Sequence, residues 1–259
     1  MSQYARQNIA YWTTRAPSYS AVNQEELASS QHRVWRTAIT RRIAQHFGAT
    51  PPEALKILDV GTGPGFFAII LAELGYQVTA VDYTEAMLQQ ARHNAGGLAG
   101  RIQFRTMDAE ALDFPDGAFD VVISRNVTWN LRHPDQAYSH WVRVLRPGGL
   151  LLNFDANWYR YLFDQDATVC HRQDRDNVAR AHAADNTAGT DVEAMEAIAR
   201  QAPLSAHHRP GWDLEVLQRY HMSAHAEPDI WKQVWTENER INNASTPMFL
   251  VMGVKCPEA

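Results

Sequence analysis

Leu55-Lys56-Ile57-Leu58-Asp59-Val60-Gly61-Thr62-Gly63-Pro64-Gly65 reads as a short apolar strand running into a glycine turn, with an apolar helix starting near Phe66 and running to Leu74. Glycines at alternate positions let the backbone turn sharply and leave room for a ligand to lie against it, because none carries a Cβ. A strand-to-helix turn also presents free N–H groups at a helix N-terminus. The spacing excludes two familiar occupants. A dinucleotide fingerprint needs glycine at the sixth position of G-x-G-x-x-G, where this chain has Phe66. A phosphate-gripping P-loop needs Gly-Lys-Ser/Thr, which the stretch lacks. What remains is Asp-x-Gly-x-Gly-x-Gly.

Outward from this turn, strands and helices alternate. Lys56 to Val60 is the first strand and Gly65 to Leu74 a helix. Gln77 to Val81 is the second strand, closed by Asp82, and Thr84 can cap a helix through Arg92. Ile102 to Met107 is the third, closed by Asp108, and Phe119 to Ser124 the fourth. A helix over Pro134 to Leu145 is stopped by Pro147-Gly148-Gly149 before a fifth strand, Leu150 to Phe154. Runs such as Asp120-Val121-Val122-Ile123 lack alternation, the mark of parallel strands buried on both faces.

Residues 1 to 22 are polar and aromatic, with Pro17 breaking regularity. A helix is expected from Asn23, with Glu26 in a capping box, to Phe47, ended by Gly48 and Pro51-Pro52. Regularity fails between Asp155 and Gly211. Trp212 to Arg219 then reads as a helix, Tyr220 to Ala226 as a sixth strand and Met248 to Lys255 as the last. The expectation is a Rossmann-like α/β fold. Residues 1–50 form a helical cover, 51–155 the binding core, 156–211 an inserted helical cap, and 212–259 complete the core.

In open α/β sheets ligands bind beyond the carboxyl ends of the strands. Successive strand ends here carry Asp59 and Gly61, Asp82, Asp108, and Ser124-Arg125-Asn126. Asp82 lies 21 residues past Gly61, where a carboxylate can accept both hydroxyls of a ribose. Tyr83 and Met87 would pack on a base or on the core. Asp59 would hold the glycine loop or an amino group of the ligand.

These residues resemble the first motifs of the class I S-adenosylmethionine (SAM)-dependent methyltransferases. Leu145-Arg146-Pro147-Gly148-Gly149 resembles a further feature of the small-molecule members, and Trp12-Thr13-Thr14-Arg15-Ala16-Pro17-Ser18-Tyr19 their W-x-x-R-A-x-x-Y stretch. The resemblance implies a mostly parallel seven-stranded sheet with the last strand antiparallel, and SAM as cofactor with S-adenosylhomocysteine as product. It implies that Asp59, Gly61, Thr62 and Gly63 meet the methionine moiety, Asp82 the ribose, and Asp108 with the Ala109 N–H the adenine. Tyr19 would close over the methionine end. Arg125 and Asn126 would touch that end, and Tyr11, Trp129, Trp158 and Tyr159 are candidates to line the acceptor pocket. Trp129 and Trp158 could equally be packing residues.

Methyl transfer from a sulfonium is an in-line displacement, so the protein's main task is positioning and water exclusion. A general base is needed only for an acceptor that holds its proton at neutral pH. The catalytic candidates are Tyr11, Tyr19, Asn126, His207 and His208. The segment after the fourth strand lacks the Pro-Pro of DNA amino-methyltransferases, and neither Cys170 nor Cys256 sits in a Pro-Cys pair. His221 and His225 share a strand face but lie roughly 13 Å apart. No tight His/Cys cluster exists, so no metal is expected.

The net charge of -5 offers no footprint for nucleic acid or an anionic membrane. The apolar run Phe66 to Ala72 is too short to span a bilayer, and Met1 to Ala10 carries no signal-peptide core. The reading is a cytoplasmic methyltransferase acting at N, O, S or Se of a small molecule, its oligomeric state open. The alternatives are a non-catalytic SAM-binding regulator or partner protein, or another SAM-using transferase.

Overall fold

Aliphatic runs that end in a carboxylate, a glycine or a polar turn build the centre of the sheet, and more polar strands its two edges. In the computed structural model, which describes residues 2–257, these are β1 (Lys56–Val60), β2 (Gln77–Asp82), β3 (Ile102–Thr106), β4 (Phe119–Arg125), β5 (Leu145–Asp155), β6 (Met222–Glu227) and β7 (Phe249–Lys255). They lie in the order β3-β2-β1-β4-β5-β7-β6. The first five are parallel, and β7 runs antiparallel to both of its neighbours, as the resemblance implied. The strand order switches between β1 and β4. Val60 stands opposite both Val81 and Ser124, so Gly61, Asp82 and Arg125-Asn126 emerge at one level of the carboxyl edge.

The N-terminal region differs from expectation. Helix α1 (Gln3–Ala28) runs unbroken through Pro17, and α2 (Ser30–Phe47) follows after a break at Ser29. Ser2 and Ser29 are the caps, their hydroxyls accepting from the N–H of Ala5 and Gln31. Asn23 caps nothing. It lies inside α1, and its Nδ2 donates to the Glu26 carboxylate at 3.1 Å. Pro17 forfeits one backbone bond, but its side chain faces solvent and the helix is tied down on either side of it.

Helix α3 (Phe66–Glu73) is apolar all round, and a helix of that kind must be covered on every side. Its outer cover is α2, whose fully buried Trp35 ring contacts Phe66, Phe67 and Phe154. Helix α4 (Glu85–Ala95) follows β2, and α5 (Pro134–Val144) lies between β4 and β5.

The Pro147-Gly148-Gly149 stop does not precede β5 but lies within it. The strand starts at Leu145, opposite Phe119, and regains register only at Leu150, opposite Val121, so the intervening residues bulge. Gly149 is required there, because a Cβ would stand 2.8 Å from the Arg146 carbonyl oxygen and 3.1 Å from that of Asp120.

Between β5 and β6 come α6 (Gln165–Ala181), α7 (Val192–Ala199) and α8 (Gly211–Arg219). Two short helices missed by the sequence pattern, α9 (Trp231–Val234) and α10 (Glu237–Asn242), lie between β6 and β7. Among the described residues no helix is long and apolar enough to cross a membrane.

Candidate functional site

The glycine turn is held from below by Asp59. Its carboxylate is buried and accepts from the Thr62 hydroxyl at 2.6 Å and from the Ala68 N–H, an orphan donor in the first turn of α3. Burial pushes the Asp59 carboxyl up to about 7, against the pull of those two donors, with the Asp82 charge adding to the rise. Asp59 thereby ties the end of β1 to the turn and to α3.

Asp82 ends β2 beside the turn. One oxygen accepts the Gly63 N–H at 2.9 Å and the other the Thr84 N–H at 2.8 Å. The Tyr83 N–H also reaches this carboxylate, and of about four acceptor positions on its two oxygens at least one remains for a ligand. Burial raises this carboxyl to about 6. Next to it the Tyr83 ring is 36% exposed, an uncovered aromatic face at the rim of the site, whereas Met87 is buried. Asp108 accepts the Glu110 N–H at 2.9 Å through one oxygen. Ala109 is buried, and its carbonyl accepts from the Trp141 indole. Glu110 is spent on structure: its carboxylate accepts the N–H groups of Arg132 and His133 ahead of α5.

Over these strand ends lies α1. Residues 4, 8, 11, 15, 19 and 26 fall on one face by helical spacing, and that face meets the carboxyl edge. The Tyr4 hydroxyl donates to the Asn130 carbonyl at 2.9 Å, and the Asn8 amide exchanges bonds with the Asn130 side chain. Tyr19 lies against Gly63, its ring carbon 3.6 Å from where a Cβ would stand. The Tyr11–Trp12 and Trp12–Tyr19 ring pairs line the stretch between. Asn94 of α4 locks the cover to the loop, pairing with Ser20 and Gln24 while donating to the Pro64 carbonyl at 3.0 Å. No spacing in the sequence singles out Asn94.

Arg125 ties the end of β4 to the helical cover. Its guanidinium grips Glu26 of α1, at 2.6 and 3.2 Å, and lies 4.6 Å from the centre of the Trp35 ring. Burial opposes its charge, but Glu26 more than offsets this and pushes its pKa up. Asn126 adopts a left-handed backbone conformation (φ 58°), which asparagine tolerates better than most residues, and its Oδ1 is buried with no hydrogen-bond donor. The next residue, Val127, fills the space above Gly61.

That contact makes a prediction. Gly61 has φ +65°, and a Cβ there would stand 2.4 Å from Val127 Cγ2. Gly61→Ala combines backbone strain of about 1–2 kcal/mol with overpacking of about 1–3 kcal/mol. Urea unfolding should show the sum as a lower midpoint, and an unchanged midpoint would mean that the turn relaxes freely.

The rest of the site hangs on a buried polar network that the sequence did not reveal. Arg209 is held by Asp155 at 2.8 Å, by Asp213 at 2.7 and 2.9 Å and by the Thr128 hydroxyl at 2.6 Å, and the ionic groups of all three charged residues are fully buried. Asp155 also accepts the Trp129 N–H and the Trp158 indole. Trp129 is thereby fixed, its indole donating to the Asn126 carbonyl and its ring lying 4.8 Å from that of Tyr159. Tyr11, Trp12, Trp129 and Tyr159 belong to one apolar cluster. Trp158 joins this cluster to the main core and packs near Trp235, so it sits in the seam. His207 and His208 are exposed, with His207 against the Trp212 ring rather than under α1. Among the described residues no three His, Cys, Asp or Glu side chains gather as a metal would require.

A family model described as a methyltransferase domain matches residues 58–153, from β1 through most of β5. The ubiquinone biosynthesis O-methyltransferase of Sinorhizobium medicae is 33% identical over 118 residues, which cover 44% of this chain and 48% of that protein. The ubiquinone/menaquinone biosynthesis C-methyltransferase UbiE of Ectopseudomonas mendocina is 34% identical over 157 residues, 58% of each. The matches thus span about half the length of these curated relatives. A Haemonchus contortus phosphoethanolamine N-methyltransferase, solved with phosphomonomethylethanolamine and S-adenosylhomocysteine, matches 86% of this chain and 52% of its own, with a TM-score of 0.56 and 17% identity. At that identity the likeness is one of fold.

Proposed function

We propose that this chain, which carries a methyltransferase domain in the class I fold, binds SAM and transfers its methyl group to a small molecule. The observation that carries the reading is Asp82. It is a half-buried carboxylate that keeps acceptor capacity for a ligand, between a glycine turn and an uncovered tyrosine ring. That arrangement suits a ribose, with Tyr83 against the base and Asp108 at its amino group. Asn126 Oδ1, buried and without a donor, suits an ammonium or an acceptor hydroxyl.

When bound, the cofactor supplies a methyl group already activated by sulfonium charge. The protein's own residues would then act by placement. Asp82 orients the ribose, Asp59 and Thr62 stiffen the turn beneath the methionine end, and Tyr19 with the rest of α1 excludes water. The acceptor would lie among Tyr11, Trp129 and Tyr159. The two curated relatives are named for quinone biosynthesis, and a flat aromatic acceptor suits this wall of rings. They are named as O- and C-methyltransferases, so ring carbon joins N, O, S and Se as a candidate atom.

A second reading, SAM binding without catalysis, draws on how firmly α1 is tied, to Asn130, Asn94 and Arg125 at once. Isothermal titration with S-adenosylhomocysteine tests the binding that both readings share. Saturable binding in the micromolar range is expected, and no binding would sink both. Methyl transfer from labelled SAM to aromatic hydroxyl, amine or thiol compounds would then separate catalysis from binding alone.

A further inference from the structure

We infer that Arg15 is the anion-binding residue of the acceptor chamber and that the acceptor is an aromatic compound carrying a carboxylate; this rests on the methyltransferase reading above. The argument starts from the face of α1. Tyr4 and Asn8 are bonded to Asn130 beyond β4, and Tyr19 lies on Gly63 beyond β1. Tyr11 and Arg15 fall between those anchors on the same face, so they stand over the space between the glycine turn and the β4 loop.

Three phenols from two sides locate the guanidinium. It hydrogen-bonds Tyr11, and its charge acts on Tyr19 of the same helix and on Tyr159, which lies after β5. Tyr159 and Trp129 form the opposing ring wall. Arg15 is therefore a cation at the edge of an aromatic cluster.

It is also a cation without a carboxylate. Among the described residues its partners are the Ser18 hydroxyl at 2.7 Å and Tyr11, and no carboxylate forms an ion pair with it. Glu26 is gripped by Arg125, Asp191 accepts from the N–H of Ala194, and Glu196 is held by Tyr161 and Arg200. Arg125, the other arginine near the turn, is neutralised in place, which leaves Arg15 to meet an incoming anion. A lone guanidinium beside planar rings suits a flat carboxylate, which it can hold through two parallel N–H donors while the rings hold the aromatic part.

The test uses the full chain saturated with S-adenosylhomocysteine and a matched set of probes: benzoate, phenylacetate and 3-phenylpropionate against their amides, followed by tryptophan fluorescence. At least one acid should bind about 10- to 100-fold more tightly than its amide, the preference expected of charge-assisted hydrogen bonds. Arg15→Met should abolish the preference while keeping amide and S-adenosylhomocysteine affinity, and Arg15→Lys should retain part of it. Equal affinity for acids and amides, or no binding of either, overturns the inference. So does an Arg15→Met loss that falls on S-adenosylhomocysteine instead, because the carboxylate would then be the cofactor's own. Failure of the wild-type protein to bind S-adenosylhomocysteine would be a failure of the methyltransferase reading and is read separately, before any probe is added.

Discussion

Arg209→Met is expected to lower the free energy of unfolding by about 3–5 kcal/mol, the cost of breaking a buried ion pair from one side. The guanidinium is fully buried and neutralises two carboxylates, Asp155 and Asp213, that are themselves fully buried. Burial opposes its charge, yet Asp213 and Asp155 more than offset that and push its pKa up. A methionine would leave both acids in the interior with no counter-charge, and the Phe249 ring, 5.0 Å from the guanidinium carbon, offers no polar replacement. Out of a total of about 5–15 kcal/mol such a loss is large. It should also reach the site, because Asp155 anchors the Trp129 N–H and the Thr128 hydroxyl. Urea unfolding measures the first effect. A decrease under about 1 kcal/mol would mean that water or protonation rescues the acids. Adding Asp155→Asn and Asp213→Asn to Arg209→Met should recover part of the stability, since the cost arises from charges left unpaired rather than from lost packing.

That network shows why one part of the site was legible and another was not. The residues at the ends of β1 and β2 could be read directly, because each follows an apolar run at a fixed distance from a turn. The geometry of Asp82 with Gly63 and Thr84 depends only on local chain direction. Arg209 meets Asp155 across 54 residues of irregular sequence, and no periodicity links the two. The cover over the site misled for a different reason. By sound rules of local sequence Pro17 breaks a helix and Asn23 with Glu26 caps one. Tertiary ties at Asn130, Gly63, Asn94 and Arg125 outweigh the one backbone bond that proline removes. Glu26 serves Arg125 rather than a helix end, and only the fold brings them together. The Pro-Gly-Gly within β5 is a similar case: its turn chemistry was recognised, but a bulge used it instead of a loop.

Asp82→Ala should weaken S-adenosylhomocysteine binding by about 100-fold or more, since two hydrogen bonds to a charged acceptor at about 1.5–3 kcal/mol each would be lost. The fold should survive. Burial raises the Asp82 carboxyl to about 6, so the cofactor-free protein holds this charge at a disadvantage. A carboxyl raised on folding binds more protons in the native than in the unfolded state between the two pKa values, so its contribution to stability falls as pH rises from about 4 to about 6. Neutral Asp82→Asn removes that penalty and keeps one acceptor oxygen for Gly63 or Thr84. Ligand affinity must show the opposite slope. Ribose hydroxyls donate to the ionised form, so wild-type affinity should be flat above pH 6 and fall by about tenfold per unit below it, as a proton competes for the same oxygens. Asp59, raised to about 7 in part by the Asp82 charge, titrates nearby and shifts down when that charge is removed, so it cancels only if it is neutralised in both proteins. The decisive measurement is therefore the difference between Asp59→Asn and the double variant Asp59→Asn with Asp82→Asn from pH 5 to 7.5. If the two slopes coincide, the proton that matters is not on Asp82, and the ribose contact must be sought elsewhere on the carboxyl edge.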